Sequence, residues 1–232
     1  GDMEQWQRFN NSLLLRGAMR ISGVYPEAKN IVETIAGNPT KYPLIDSNDD
    51  NAYFWWTGSS PYFEPWYNNK RTRDDHGFFD TFIEHLLTME DPRLPVIAYP
   101  ATTDGEYRGY VNGAKSTPSD LGLYSRVGKM FRDNPAGYTP FYKSCETYYM
   151  LAEAAMNGWN VGISAQDAYE KAVRLSMEDM GVEEADADAY LAGKGKWDNT
   201  KERIWWDQWV ALFKENWEAW HLFRRTGIPT SD

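Results

Sequence analysis

Residues 200–229 read TKERIWWDQWVALFKENWEAWHLFRRTGIP and hold five of the chain's eleven tryptophans. Trp206, Val210, Phe213, Trp217 and Trp220 follow one another at intervals of 4, 3, 4 and 3, the spacing that lines one face of an α-helix. Trp205, Trp209 and Leu212 widen that face, while Glu202, Lys214, Glu215 and Glu218 lie toward the other side. Arg224 and Arg225 fall in what would be the last turn, where cations favour the helix dipole, and Gly227 followed by Pro229 gives a stop signal. The segment is predicted to be one long helix whose tryptophan face packs into a core.

Outward from this segment, the 232 residues suffice for a sizeable core. An aromatic content of 16% exceeds ordinary core needs, and surplus rings usually serve recognition because they stack on flat apolar faces at little entropic cost. A net charge of −10 argues against nucleic acid, whose phosphates would be repelled, and against a polybasic membrane patch. The single cysteine, Cys145, rules out an intrachain disulfide and reads as a buried small hydrophobe. No apolar run is long enough to span a bilayer as a helix.

Asp2 and Gln5 form a capping box that opens a helix carrying Trp6, Phe9, Leu13, Leu14, Ala18 and Ile21. A short helix is predicted over 26–36, another over 75–90 ending at Asp91-Pro92, and a further pair from Tyr142 to Gly158 and from Ser164 to Met180. Alanines on that last pair allow close approach, as in tetratricopeptide-type repeats, and one more helix follows around 183–192. Residues 37–73 and 96–141 lack helical period and are predicted to be loop-rich ligand-face segments, with weak strands at 95–99 and 107–111. The expected fold is mainly α, one domain of tetratricopeptide-like helix pairs with long irregular loops and little β structure.

The chemistry is that of binding rather than catalysis. Three histidines, no His-Glu-x-x-His, no phosphate loop and no Gly-x-Ser-x-Gly elbow leave no catalytic constellation, no cofactor and no metal site to predict. Residues 46–51 (DSNDDN) alternate oxygen ligands as a calcium loop would, but lack its glycine and its closing glutamate. An Asx-rich turn is the simpler reading. The aromatic run Tyr53, Trp55, Trp56, Tyr62, Trp66 and Tyr67 supplies a stacking platform suited to sugar rings, with Tyr107 and Tyr110 as further candidates. Arg71, Arg73 and Asp74 are candidates for bonding sugar hydroxyls. The same rings could instead anchor a long loop to the helices.

Several stretches together resemble the SusD/RagB family of outer-membrane nutrient-binding lipoproteins, in its SusD-like branch. They are Gln208, Trp209, Ala211, Leu212 and Phe213, then Glu218, Ala219 and Trp220, then Arg224, Arg225, Thr226, Gly227 and Pro229. Residues 6–22 (WQRFNNSLLLRGAMRIS), 47–52, 65–67, 91–95 (DPRLP) and 151–155 with Gly158-Trp159 fit in the same order, whereas Asp207, Val210 and Ile228 depart from the pattern. The resemblance implies a lipid-anchored, outward-facing protein that sits over a TonB-dependent porin and delivers oligosaccharide or another nutrient into it. It implies too that this chain corresponds to a C-terminal portion, with membrane contact only through a lipid carried upstream of residue 1. Peptide or amino-acid binding, and a scaffold that contacts the transporter while selection resides elsewhere, remain open beside glycan capture. A glycosidase is the outlying alternative.

Overall fold

The computed structural model describes residues 1–74, 76–114 and 120–230. Helix α1 (Met3–Ile21) starts at the capping box expected of Asp2 and Gln5, and α2 (Ala28–Ala36) packs beside it. A 3-10 turn (Asn48–Asp50) leads into β1 (Ala52–Trp55), and α3 (Pro65–Lys70), α4 (Asp80–Thr88) and α5 (Leu94–Ile97) follow. After β2 (Ala98–Tyr99), β3 (Arg126–Val127), α6 (Lys129–Arg132) and β4 (Tyr138–Tyr142) comes the helical body. It comprises α7 (Ser144–Met156), α8 (Ala165–Asp179), α9 (Glu184–Ala192), α10 (Lys201–Ala211) and α11 (Asn216–Thr226). The mainly helical class expected from the sequence is observed.

Helix α7 is the axis of the body. All of its residues from Ser144 to Ala154 are buried, because α1, α8 and α10 pack around it. Ala152, Ala168 and Ala172 are fully buried where α7 meets α8, the close approach that small side chains permit. A second, smaller core gathers Phe78, Ile83 and Leu86 from the stretch expected to be helical, Leu94 just beyond it, and Ile97, Val127, Phe131 and Tyr138 from the segment 96–141 expected to be loop-rich.

The two cores are joined by charge. Arg93, with no exposed surface, donates to both carboxylate oxygens of Asp91, to Asp207 of α10 at 2.9 Å and to Ser176 of α8 at 3.0 Å. Asp207 also accepts from Tyr169 (2.8 Å) and Tyr190 (2.9 Å). Burial pushes the Asp207 carboxyl up, and the Arg93 guanidinium and the two tyrosine hydroxyls oppose it by stabilising its ionised form. The Asp-Pro-Arg stretch thus bolts the end of α4 to α8, α9 and α10.

Three expectations change. The long C-terminal helix breaks: α10 ends at Ala211, Lys214 adopts a left-handed φ of 75°, and α11 begins at Asn216. Two buried ion pairs flank the corner, where Lys214 Nζ reaches Glu64 at 3.0 Å and Glu215 reaches Lys143 at 3.0 Å. Val210 and Phe213 lie in or against the core as expected, but Trp217 is 77% and Trp220 50% exposed. The predicted stop holds, with Gly227 in the left-handed conformation donating to Phe223 O at 2.8 Å. The helix expected over 75–90 starts only at Asp80, because Gly77 and Phe79 are held in bridges to Arg126 and Tyr110. Residue 75 lies outside the described residues. Of the two weak strands, only Ala98–Tyr99 forms, and the 107–111 stretch makes a single bridge.

His85 stacks on Trp206 with centroids 4.3 Å apart, and burial pushes its imidazole down to about 4, with Asp91 opposing and Arg93 and Arg203 assisting. Its stabilising contribution is complete above the unfolded value of 6.5 and is lost as pH falls from there through 4. We expect His85→Phe to remove about 3 kcal/mol of the acid-induced loss of stability across that window, read as the difference between wild-type and variant denaturation midpoints at each pH.

Candidate functional site

The aromatic residues 53–55 lie in strand β1, with Trp56 just past its end, and the alternation of a strand sends its rings to two faces. β1 pairs antiparallel with β4, placing Trp55 opposite Tyr138, Phe54 opposite Thr139 and Tyr53 opposite Pro140. The register then shifts, so that Ala52 faces Tyr142 and Phe141 is left as the extra residue of a bulge. Bulges re-aim side chains, and Phe141 is accordingly 55% exposed. Arg16 Nη2 secures its carbonyl at 3.0 Å.

On one face of this ribbon Tyr53 stacks on Tyr138 at 4.2 Å, with Trp55 at their edge, 60% exposed. The Tyr53 hydroxyl donates to Asp179 of α8 at 2.6 Å, and burial beside that carboxylate pushes the phenol well up, so it stays a donor. On the other face Phe54 is 51% exposed and meets Trp56 edge-on at 5.1 Å. Trp56 Nε1 donates to Thr139 Oγ1 at 3.0 Å.

An open groove of about 510 Å³ lies on this ribbon between β1, the bulge and the first turns of α1, a size within the range of small-molecule sites. Phe54 and Phe141 line it from the ribbon, Trp6 and Phe9 from α1, and Asp49, Asp50 and Asn51 from the 3-10 turn. Trp6 is 60% exposed and meets Phe9 edge-on at 6.0 Å. Rings on two sides with amide and carboxylate oxygens along the rim can stack on a sugar's apolar face and bond its hydroxyls.

The 46–51 segment builds this rim rather than a metal cage. Asn48 accepts from the Ser144 hydroxyl at 2.7 Å and donates to Leu175 O at 3.0 Å, while Asn51 accepts the Ser144 backbone N–H at 2.7 Å. Asp46 and Asp50 face Arg8 at 3.7 and 3.4 Å. These amides tie the start of α7 to α8 and leave the turn's acidic side chains outward.

The structure distributes the sequence-predicted site residues unevenly. Tyr53 lines the groove, and Trp55 and Trp56 stand on the same ribbon. Tyr62 is 62% exposed in the following turn. Tyr67 packs on Phe63 at 5.6 Å, and Arg71 lies over the same ring at 4.5 Å. Trp66 turns inward to Phe213 (5.4 Å) and Phe131 (6.2 Å), where it serves packing. Asp74 is engaged by Arg132 at 2.6 Å and Arg126 at 3.7 Å, and Arg73 is exposed. Tyr107 is half-buried against the second core, and Tyr110 packs on Tyr124 at 4.3 Å beside α4.

Trp6, Phe9, Phe54, Phe141 and Asp49 were not among the expected site residues. The signal available for α1 is a second apolar stripe: its buried residues are Asn11, Ser12, Leu15, Ala18 and Met19, so Trp6 lies off the buried face.

A family model described as "Starch-binding associating with outer membrane" (SusD-like) matches residues 1–231. Among solved structures, a chitin-binding SusD homologue from Flavobacterium johnsoniae superposes with a TM-score of 0.85 at 28% identity, covering 100% of this chain and 53% of that one. Another chitin-binding protein gives 0.83 at 26% identity, covering 99% and 54%. A SusD homologue from Bacteroides thetaiotaomicron gives 0.83 at 26% identity, covering 100% and 54%. The chain thus spans just over half the length of these relatives, and no curated protein matches it. With its model matched from end to end and its fold shared with these homologues, the chain belongs to the SusD-like family.

Proposed function

We propose that this chain forms part of a non-catalytic glycan-binding protein on the outer face of the outer membrane, which captures oligosaccharide and passes it to a TonB-dependent transporter. The observation that carries the reading is the groove flanked by Trp6, Phe54 and Phe141, with oxygen-bearing side chains along one rim. The starch-binding description of the family and the chitin-binding relatives support a polysaccharide as the class of ligand. Trp55 and Tyr62 stand outside the groove and would extend the stacking surface for a longer chain. Arg71 and Arg73 remain candidates for bonding its hydroxyls. The chain is the C-terminal portion of a longer protein in this reading. The exposed apolar residues Leu14, Ile21 and Val24 near α1 and Trp217 and Trp220 on α11 would then be covered by its remaining helices.

Isothermal titration of the full-length protein with starch-, chitin- and cellulose-derived oligosaccharides tests the reading. Phe54→Ala and Trp6→Ala are each expected to weaken binding about tenfold, the loss of one ring's stacking and buried apolar area. Absence of binding to every oligosaccharide, or binding indifferent to both substitutions, would sink it.

A further inference from the structure

We propose that the groove selects a glycan bearing protonated amino groups, a glucosamine-type oligosaccharide, over neutral or acidic chains of the same backbone. This rests on the glycan-binding reading above and deepens it.

The polar rim of the groove is acidic. Asp49 and Asp50 supply its carboxylates and Gln5 a neutral amide, while the Asn51 amide is spent on Ser144, Asn48, Tyr53 and Asp179. Asp50 is shared with Arg8 at 3.4 Å, and Arg8 is shared in turn with Asp46 at 3.7 Å. Asp49 is exposed and makes no ion pair among the described residues. One guanidinium therefore serves two carboxylates beside a third that is left unpaired. Gly1 and Gln5 border the groove at the start of α1, and the Asp2 carboxylate between them is held by the capping box, accepting from Gln5 N–H at 2.9 Å.

The walls favour the same ligand. An ammonium group over the face of Trp6 or Phe54 gains a cation–π attraction that a hydroxyl or an acetamide does not. A sugar stacked on those rings carries its ring substituents toward the rim, where an amine meets Asp49 and a carboxylate or sulfate would be repelled. The chain's net charge of −10 adds a long-range field of the same sign, which draws a polycation in and holds a polyanion off.

Three hexasaccharides with one β-1,4 backbone isolate the effect, because glucose, N-acetylglucosamine and glucosamine units differ only at C2. They are titrated into the full-length protein at about pH 6, where amines of this basicity are protonated, and at salt from about 50 to 300 mM. The glucosamine hexamer is expected to bind most tightly, and its advantage to shrink as salt rises. Asp49→Asn is expected to cut that advantage, taken as the ratio of glucosamine-hexamer to glucose-hexamer affinity on the same variant, about three- to fivefold, the scale of a partly exposed ion pair. Equal affinities for the three hexamers, or an advantage that Asp49→Asn does not alter, overturns the inference and leaves glycan binding standing. Failure of all three to bind overturns the inference, and failure of starch-derived oligosaccharides beside them removes the underlying reading as well. A stability measurement on Asp49→Asn guards against misfolding, and the ratio to the glucose hexamer removes any loss common to both ligands.

Discussion

Arg93→Ala is expected to destabilise the protein by about 3–5 kcal/mol, the scale at which breaking a buried ion pair leaves its partners uncompensated. The side chain has no exposed surface, and its removal strands Asp91 at 3% and Asp207 at 1% exposure. Nε and Nη2 fork to Asp91 with bonds of 2.6–3.1 Å, Nη2 also reaches Asp207 at 2.9 Å, and Nη1 reaches Ser176 at 3.0 Å. Lysine carries one charged nitrogen and cannot span three elements, so Arg93→Lys should recover only a minor part. Tyr169 and Tyr190 would then share Asp207 without a cation, and α8, α9 and α10 would lose their common anchor. Chemical denaturation of the two variants against wild type measures the effect. A loss below about 1 kcal/mol for Arg93→Ala would show that water or neighbouring groups replace the guanidinium, and would sink the claim.

This network explains how far the sequence could be read. The helix pair α7–α8, the capping box at Asp2, the stop at Gly227 and the buried Cys145 are local patterns, and each appears where its spacing places it. The corner at Lys214 is not local. The 4-3-4-3 spacing runs through it without a glycine or proline, and the charges paired at the break, Glu64 and Lys143, lie 150 and 71 residues away from Lys214 in the chain. β1 escaped notice because all four residues at 53–56 are aromatic, which hides the alternation, and its partner β4 lies far along the chain.

The site shows the same division. Ring chemistry identified the stretch that became the ribbon, including Tyr53, which lines the groove. Which ring faces solvent depended on contacts that no local pattern contains. Trp66 is drawn to Phe131 and Phe213, Asp74 to Arg126 and Arg132, and Phe141 is turned out by a register shift. Trp6 became a groove wall because the 3-10 turn and β1 lie beside the first turns of α1.

Lys214→Ala is the second substitution with a large expected effect, about 3 kcal/mol of stability, and its consequences extend to the groove. Glu64, 1% exposed, caps α3 by accepting Tyr67 N–H at 2.8 Å, and Lys214 is the cation that balances it at 3.0 Å. The ammonium also lies 5.0–5.7 Å from the ring centroids of Tyr138, Trp66 and Phe131. Tyr138 is the ring on which Tyr53 stacks, so one side chain pins the loop, the ribbon and the helix corner together. Two variants separate the causes. Lys214→Gly removes the charge but relieves the left-handed backbone, and should be less damaging than alanine by about 1 kcal/mol. Lys214→Met combined with Glu64→Gln removes both charges and should recover most of the loss, since a neutralised pair no longer strands a buried carboxylate. Denaturation midpoints rank the three variants, and oligosaccharide titration of the same set reads the ribbon. If stability follows the charge, affinity should fall for Lys214→Ala and return in the double variant. If alanine and the double variant lose stability equally, the ion pair is not what holds the corner, and the rings packed around Lys214 carry that role instead.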